Sequence, residues 1–194
     1  MGPGNLHDGY DQRFCAADRR LWRRVGGLRL FGLHLAVVGK DARSPHSLLT
    51  DQYLGRAQDL ARGLGIDGPS LSVVEAPRAL SGVARQDKEA WLLLNAVPQQ
   101  GPVVVLDEAG KNLSSREIAA LIEQRRDQGA PAMTFFIGGA DGFVSDFQDR
   151  LAGRPVTKIA FGRATWPHML VRAMIAEQLY RAMTLLTGHP YHRD

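Results

Sequence analysis

Cysteine is nearly missing from this chain: Cys15 is the only one in 194 residues. That excludes a disulfide framework and a cysteine-based zinc site, and it fits a reducing, cytosolic setting. Nucleotide fingerprints are missing too. Neither G-x-G-x-x-G nor a Walker A sequence occurs, which leaves a nicotinamide enzyme or a P-loop NTPase without support. No Ser-His-Asp or Cys-His arrangement is visible, so hydrolytic chemistry has no positive sign. One segment, Pro167 to Thr187, is long and apolar enough to invite a membrane reading, but Arg172, Glu177 and Arg181 sit inside it. Each charge is costly at a bilayer centre, so the segment reads as a buried helix of a soluble protein. The amino terminus mixes Asp8, Asp11 and Asp18 with basic residues and has no long apolar run, unlike a signal peptide.

What is present suits a single globular domain with a sizeable core: 44% of residues are hydrophobic and 23% charged. The formal net charge of +4 and pI of 9.6 are compatible with a polyanionic partner such as RNA without demanding one. Residues 1–28 differ from the rest. They are polar and Arg-rich, with Arg19, Arg20, Arg23 and Arg24 around Leu21 and Trp22. A basic arm touching RNA is one reading; a disordered, dispensable leader ahead of a misplaced start is the plainer one and is favoured here. Residues 29–194 then form the single domain.

From Leu28 onward strands and helices alternate. Leu33 to Val38 reads as a strand, and Ser44-Pro45 opens a helix whose apolar face is expected to hold Leu48, Leu49, Tyr53, Ala57, Leu60 and Leu64. Leu71 to Val74 is a second strand, residues 77–85 a loop, and residues 88–96 a helix. Val103 to Leu106 is a buried strand leading into a loop over residues 107–111. Ser114 and Glu117 match a capping box that starts a helix to about Gln128. Thr134 to Ile137 is another buried strand, followed by Gly138-Gly139-Ala140-Asp141-Gly142 and a helix over residues 145–151. Val156 to Phe161 is the last strand before the final helix. This alternation predicts an α/β fold, a parallel sheet with helices on both faces. Ligands of such sheets sit beyond the carboxyl ends of the strands, here the loops after Leu106, Ile137 and Phe161.

The final helix is apolar on nearly every side, so it must be buried all round and needs a second partner surface. Glu177 can pair with Arg181 at i,i+4 spacing; Arg172 has no such acid and must find carboxylates, carbonyls or phosphate elsewhere. The glycines after Ile137 either make a tight turn or let backbone NH groups approach a ligand. His189, Tyr191 and His192 lack the further ligands zinc wants, so no metal is expected.

Four segments then come in order at telling separations: IGGADG (Ile137 to Gly142), TWPHMLVR (Thr165 to Arg172), AEQLYRA (Ala176 to Ala182) and GHPYHRD (Gly188 to Asp194). With LAVVGK (Leu35 to Lys40) and VVVLDEAGK (Val103 to Lys111), they resemble the ribosomal RNA large subunit methyltransferase H family of the SPOUT superfamily. The resemblance runs from about Leu30 to Asp194. It implies a Rossmann-like parallel sheet with a C-terminal trefoil knot, a homodimer, a cytoplasmic location and no need for metal or membrane. It also implies the activity: S-adenosylmethionine-dependent methylation of pseudouridine N3 in a 23S rRNA stem-loop, helix 69, on the assembled 70S ribosome. The alternative within the same fold is a non-catalytic RNA-binding knot protein of ribosome maturation.

Carried over by motif, the resemblance makes Leu106, Gly138, Gly139, Phe161, Gly162, Arg163, Ala164, Thr165 and Trp166 the cofactor-binding residues. Arg181, Tyr191, His192 and Arg193 would hold the RNA. His192, Tyr191 and Arg181 are the candidates for assisting loss of the N3 proton, which water could instead accept.

Overall fold

The computed structural model describes residues 24–25, 28–39, 44–151 and 153–191. The leader up to residue 23, and His192 and Arg193 of the tail, lie outside the described residues. Inside the segment read as leader, β1 (Arg24–Val25) and β2 (Leu28–Arg29) pair as a short antiparallel ribbon.

Five longer strands follow: β3 (Phe31–Val38), β4 (Ile66–Val74), β5 (Val103–Asn112), β6 (Ala132–Ile137) and β7 (Val156–Ala160). Four helices separate or follow them: α1 (Pro45–Ala61), α2 (Gly82–Asn95), α3 (Ser115–Asp127) and α4 (His168–Thr187). The strands form one parallel sheet in the order β4-β3-β6-β5-β7. The α/β architecture is therefore the one that the alternation of apolar runs implies.

The centre of the sheet explains its composition. All eight residues of β3 are buried, because alternate side chains point to opposite faces and both faces are covered. Phe31, Leu33, Leu35 and Val37 join Leu54, Ile118, Ile122 and Leu179 beneath α1, α3 and α4. Ala36 and Val38 meet Leu93, Phe147 and Leu151 on the other side, beneath α2. The one polar side chain with a full ring here, His34, pairs through Nδ1 with Ser70 Oγ at 2.6 Å. Burial pushes its imidazole below the ordinary histidine pKa, favouring the neutral form.

α4 packs between α1 and α3, and from His168 to Leu186 no side chain is exposed. The boundaries foreseen at its ends hold: Pro167 precedes it, and Gly188, at φ 66°, terminates it in the left-handed conformation. The capping box of Ser114 and Glu117 is also present.

Four expectations fail locally. In α1 the buried residues are Ser47, Thr50, Leu54, Ala57 and Ala61, while Leu48 is 62% and Leu49 40% exposed. Small and hydroxyl-bearing side chains let α1 approach α4 closely, and Thr50 satisfies its hydroxyl on His46 O at 2.8 Å. α2 starts at Gly82, six residues before Lys88, behind a Ser81 whose side chain makes no cap hydrogen bond. Residues 145–151 form turns and a short 3-10 helix, Asp149–Leu151, instead of an α-helix. The loop over residues 107–111 is an excursion within β5: Leu106 and Lys111 both pair with Ile159, and the residues between bulge out. A Cβ on Gly110 would lie 2.5 Å from the Ile159 backbone, so only glycine lets the strand close up again.

Candidate functional site

The three strand-end loops meet. They enclose a cavity of about 520 Å³ over the carboxyl ends of β5, β6 and β7, within the range of small-molecule sites. Of the nine residues expected to contact a cofactor, Leu106, Gly138, Gly139, Phe161, Gly162, Ala164, Thr165 and Trp166 line it. Arg163 is exposed and is not part of the lining.

Each loop is tied in place. Trp166 Nε1 donates to Phe161 O at 2.8 Å, which closes the 161–166 loop on itself. Gly162 N donates to Asn112 Oδ1 at 2.7 Å, and Gly162 turns at φ 86°. Gly142 N donates to Gly139 O at 3.1 Å, closing the glycine loop. In the β5 excursion, Asp107 accepts from Ala109 N at 2.9 Å and pairs with Lys158 Nζ at 3.1 Å. The backbone hydrogen bond, then Lys158, holds its carboxyl below the usual range.

The glycines of the 138–142 loop are dictated from behind as well as from the cavity. A Cβ on Gly138 would meet the Gly142 carbonyl carbon at 3.0 Å. One on Gly139 would lie 2.7 Å from Glu89 Oε2 and 3.2 Å from Val38 Cγ1. The cavity wall is thin here, one glycine backbone deep.

Sequence reasoning missed this side of the site. His168 lines the cavity, and a Cβ on Gly39 would come 3.0 Å from its Nε2. Burial first, then the charge of Arg172, holds its imidazole pKa down. Arg172, 2% exposed, donates through Nη2 to Val38 O at 2.9 Å and Gly39 O at 2.6 Å. The partner sought for it is thus the carbonyl end of β3. His168 stood inside a quoted motif; Glu89 carried only the weak signal of an acid among the apolar residues of an amphipathic helix.

The other expected site residues lie elsewhere. Arg181 pairs with Glu177 Oε1, Nε at 2.9 Å and Nη2 at 2.6 Å. The Tyr191 ring lies tilted against Tyr180, 4.7 Å between ring centroids, with Arg181 at 5.1 Å and Arg56 at 5.9 Å from its ring. Burial, then Glu177 and Tyr53, raises the Tyr191 phenol above its ordinary pKa. This cluster sits in the second half of α4, with Tyr180 and Arg181 about 18–20 Å along the helix from His168. Within one chain Tyr191 does not line the cavity.

Among the described residues no group of three or more His, Cys, Asp or Glu side chains could hold a metal ion. No described helix is long and apolar enough to cross a membrane.

Residues 31–192 match the family model described as "Predicted SPOUT methyltransferase". The chain belongs to the SPOUT methyltransferase family. Its similarity to named relatives is close and nearly full-length for them. It is 44% identical over 162 residues to ribosomal RNA large subunit methyltransferase H of Methylocella silvestris, covering 84% of this chain and 99% of that protein. Identity to the protein of the same name from Hyphomonas neptunium is 45% over 161 residues, 83% of this chain and 98% of the relative. For that from Paracoccus denitrificans it is 47% over 160 residues, 82% and 97%. The fold is accordingly the α/β knot, a parallel sheet whose C-terminal segment is threaded into a trefoil, one of the few exceptions to unknotted chain topology. Methyl transfer is the chemistry of this family.

Proposed function

We propose that this chain is an S-adenosylmethionine-dependent methyltransferase of large-subunit rRNA. It would methylate N3 of a pseudouridine in the helix 69 stem-loop of 23S rRNA on assembled 70S ribosomes, in the cytoplasm and as a homodimer. One observation supports this most: the three strand-end loops close on a single cavity in a chain this similar to named rRNA methyltransferases.

The cavity suits the donor. Leu106, Ile159 and Phe161 give an apolar wall for an adenine, and the closed 161–166 loop offers main-chain hydrogen bonds to its edge. Gly138 and Gly139 bring backbone close to the ligand without side chains. When bound, the sulfonium supplies an electrophilic methyl group. The chain's work is then to hold that methyl in line with the nucleotide nitrogen and to exclude water. As the N–C bond forms the S–C bond breaks, and the N3 proton leaves to a base. Arg181, Tyr191, His192 and Arg193 are assigned to gripping the RNA. His192, Tyr191 and Arg181 would also ease the proton's departure.

The separation along α4 supports the homodimer reading. Tyr191 rests on Tyr180 and Arg181, about 18–20 Å along the helix from the cavity-lining His168, so it would serve another chain's cavity. Leu170, Met174 and Leu185, half-buried on α4, and the exposed Leu48 and Leu49 of α1 are apolar surface that a second chain would cover. Residues 1–28 have no part in this scheme and are taken as dispensable.

The deciding experiment incubates the purified protein, labelled S-adenosylmethionine and ribosomes lacking the modification. Label is expected at one pseudouridine of the helix 69 stem-loop in 70S particles. Cofactor binding without any transfer to ribosomes would favour a non-catalytic RNA-binding role and overturn the assignment.

A further inference from the structure

Tyr191 meets α1 as well as α4. Tyr53 of α1 lies tilted against Tyr180, 6.0 Å between ring centroids, and Tyr191 extends the row at 4.7 Å. Tyr180 is buried, whereas Arg56, one turn after Tyr53 on α1, is exposed. The guanidinium carbon of Arg56 lies over two of these rings, 4.7 Å from the Tyr180 centroid and 5.9 Å from that of Tyr191.

Two arginines thus flank the Tyr191 ring, and their donors are spent differently. Arg181 gives Nε and Nη2 to Glu177 Oε1, so its charge is answered within α4. Arg56 makes no hydrogen bond or ion pair with a described residue, although Asp59 stands one turn further along α1. Aromatic faces attract a cation but do not take up its N–H donors in strong hydrogen bonds. The rings therefore hold Arg56 in place and leave its donors open to solvent.

A guanidinium held this way suits an oxyanion. Its planar fork matches phosphate bidentately, and a side chain already ordered loses less freedom on binding. The cluster carries two cations, Arg56 and Arg181, against the one anion Glu177, so it favours a negative ligand. An arginine resting on a surface ring would otherwise be merely solvated. One of the rings here is Tyr191, which is assigned to the RNA.

We propose that Arg56 is a further rRNA-binding residue, a phosphate clamp on α1 beside Tyr191. Its guanidinium takes a backbone phosphate of the stem-loop, while Tyr191 and the rest of the tail meet the nucleotide. The assignment rests on the reading of the tail as the RNA grip. Tyr191 would serve another chain's cavity, so the phosphate is held by the chain that supplies the tail.

Co-sedimentation of the full chain with unmodified 70S ribosomes over a range of salt tests this, together with steady-state methyl transfer. Arg56→Met keeps an apolar stem against the rings and is expected to weaken ribosome binding, and to raise KM for ribosomes, about tenfold. The slope of log affinity against log salt should fall by about one. Arg56→Lys keeps the charge but not the fork, and should restore that slope. The methyl-transfer rate at saturating ribosomes should fall less than about threefold, because a phosphate grip acts equally on ground and transition states. A lower saturating rate with ribosome affinity and salt slope unchanged would overturn the proposal, since Arg56 would then act only by positioning Tyr191. Unchanged affinity and rate would overturn it too. So would loss of self-association by light scattering, which would give the guanidinium to the contact between chains. A wild-type chain that binds ribosomes without transferring methyl would sink the proposed enzyme and leave the salt slopes to judge Arg56. One that ignores ribosomes would sink both.

Discussion

Two arginines of α4 look alike in sequence and do different things. Arg181 holds Glu177 on a half-buried face, an arrangement whose net worth is below about 1 kcal/mol. Arg172 is buried and donates to the carbonyls of Val38 and Gly39. Removing its guanidinium strands one buried acceptor, at about 1–3 kcal/mol, and one part-buried acceptor at about 1 kcal/mol. Arg172→Met is therefore expected to lower the unfolding free energy by roughly 2–4 kcal/mol, and Arg181→Met by less than about 1 kcal/mol. Urea denaturation of the two variants checks the contrast; equal losses would contradict it. The pairing of Arg181 was legible from i,i+4 spacing, and so was the need of Arg172 for an outside partner. The partner itself was not legible, because a strand-end carbonyl has no residue type to betray it. Gly139 teaches the same lesson: its glycine looked like a device for a ligand, yet Glu89, about fifty positions earlier in the chain, crowds it from behind.

Elements were readable where local rules decide them. The capping box fixed the start of α3, and Gly188 the end of α4. β3 and β6 were found because strands buried on both faces are apolar at nearly every position, His34 and Thr134 being the exceptions. The misreadings arose where tertiary contact outranked pattern. α1 turns Ser47, Thr50 and Ala57 toward its neighbours and leaves Leu48 and Leu49 outside, because close helix packing favours small side chains over large ones. α2 lacked a cap to announce its beginning. The tail beyond α4 is the element whose role the proposed function depends on most. Tyr191 rests on Tyr180 and under Arg181 at the end of the helix, with no contact to the cavity of its own chain. Ending the chain after Gly188 should leave S-adenosylmethionine affinity within about twofold while reducing methyl transfer to ribosomes at least about a hundredfold. A truncated protein that still methylates at the normal rate would remove the tail from the mechanism.

At the scale of the whole molecule, the geometry of α4 turns a question about residues into one about stoichiometry. The cavity lies near the start of the helix, and Tyr191 packs on Tyr180 and Arg181 in its second half. If catalysis needs both, each working site combines one chain's cavity with another chain's tail. Two defective chains must then repair each other. Ala164 is exposed and lines the cavity, so Ala164→Trp fills the site with little risk to the core. Mixed with the chain ended after Gly188, it should form heterodimers with one intact composite site and one doubly defective site. Random pairing makes about half of the dimers mixed, so activity should return to about a quarter of the wild-type value per chain. Each variant alone should be inactive. If a tail instead served its own cavity, the mixed dimers would contain no intact site and mixing would restore nothing. Measuring methyl transfer after co-refolding or subunit exchange therefore separates the two arrangements. Activity in proportion to the statistical fraction of mixed dimers would tie the burial of α4 to the chemistry at the cavity.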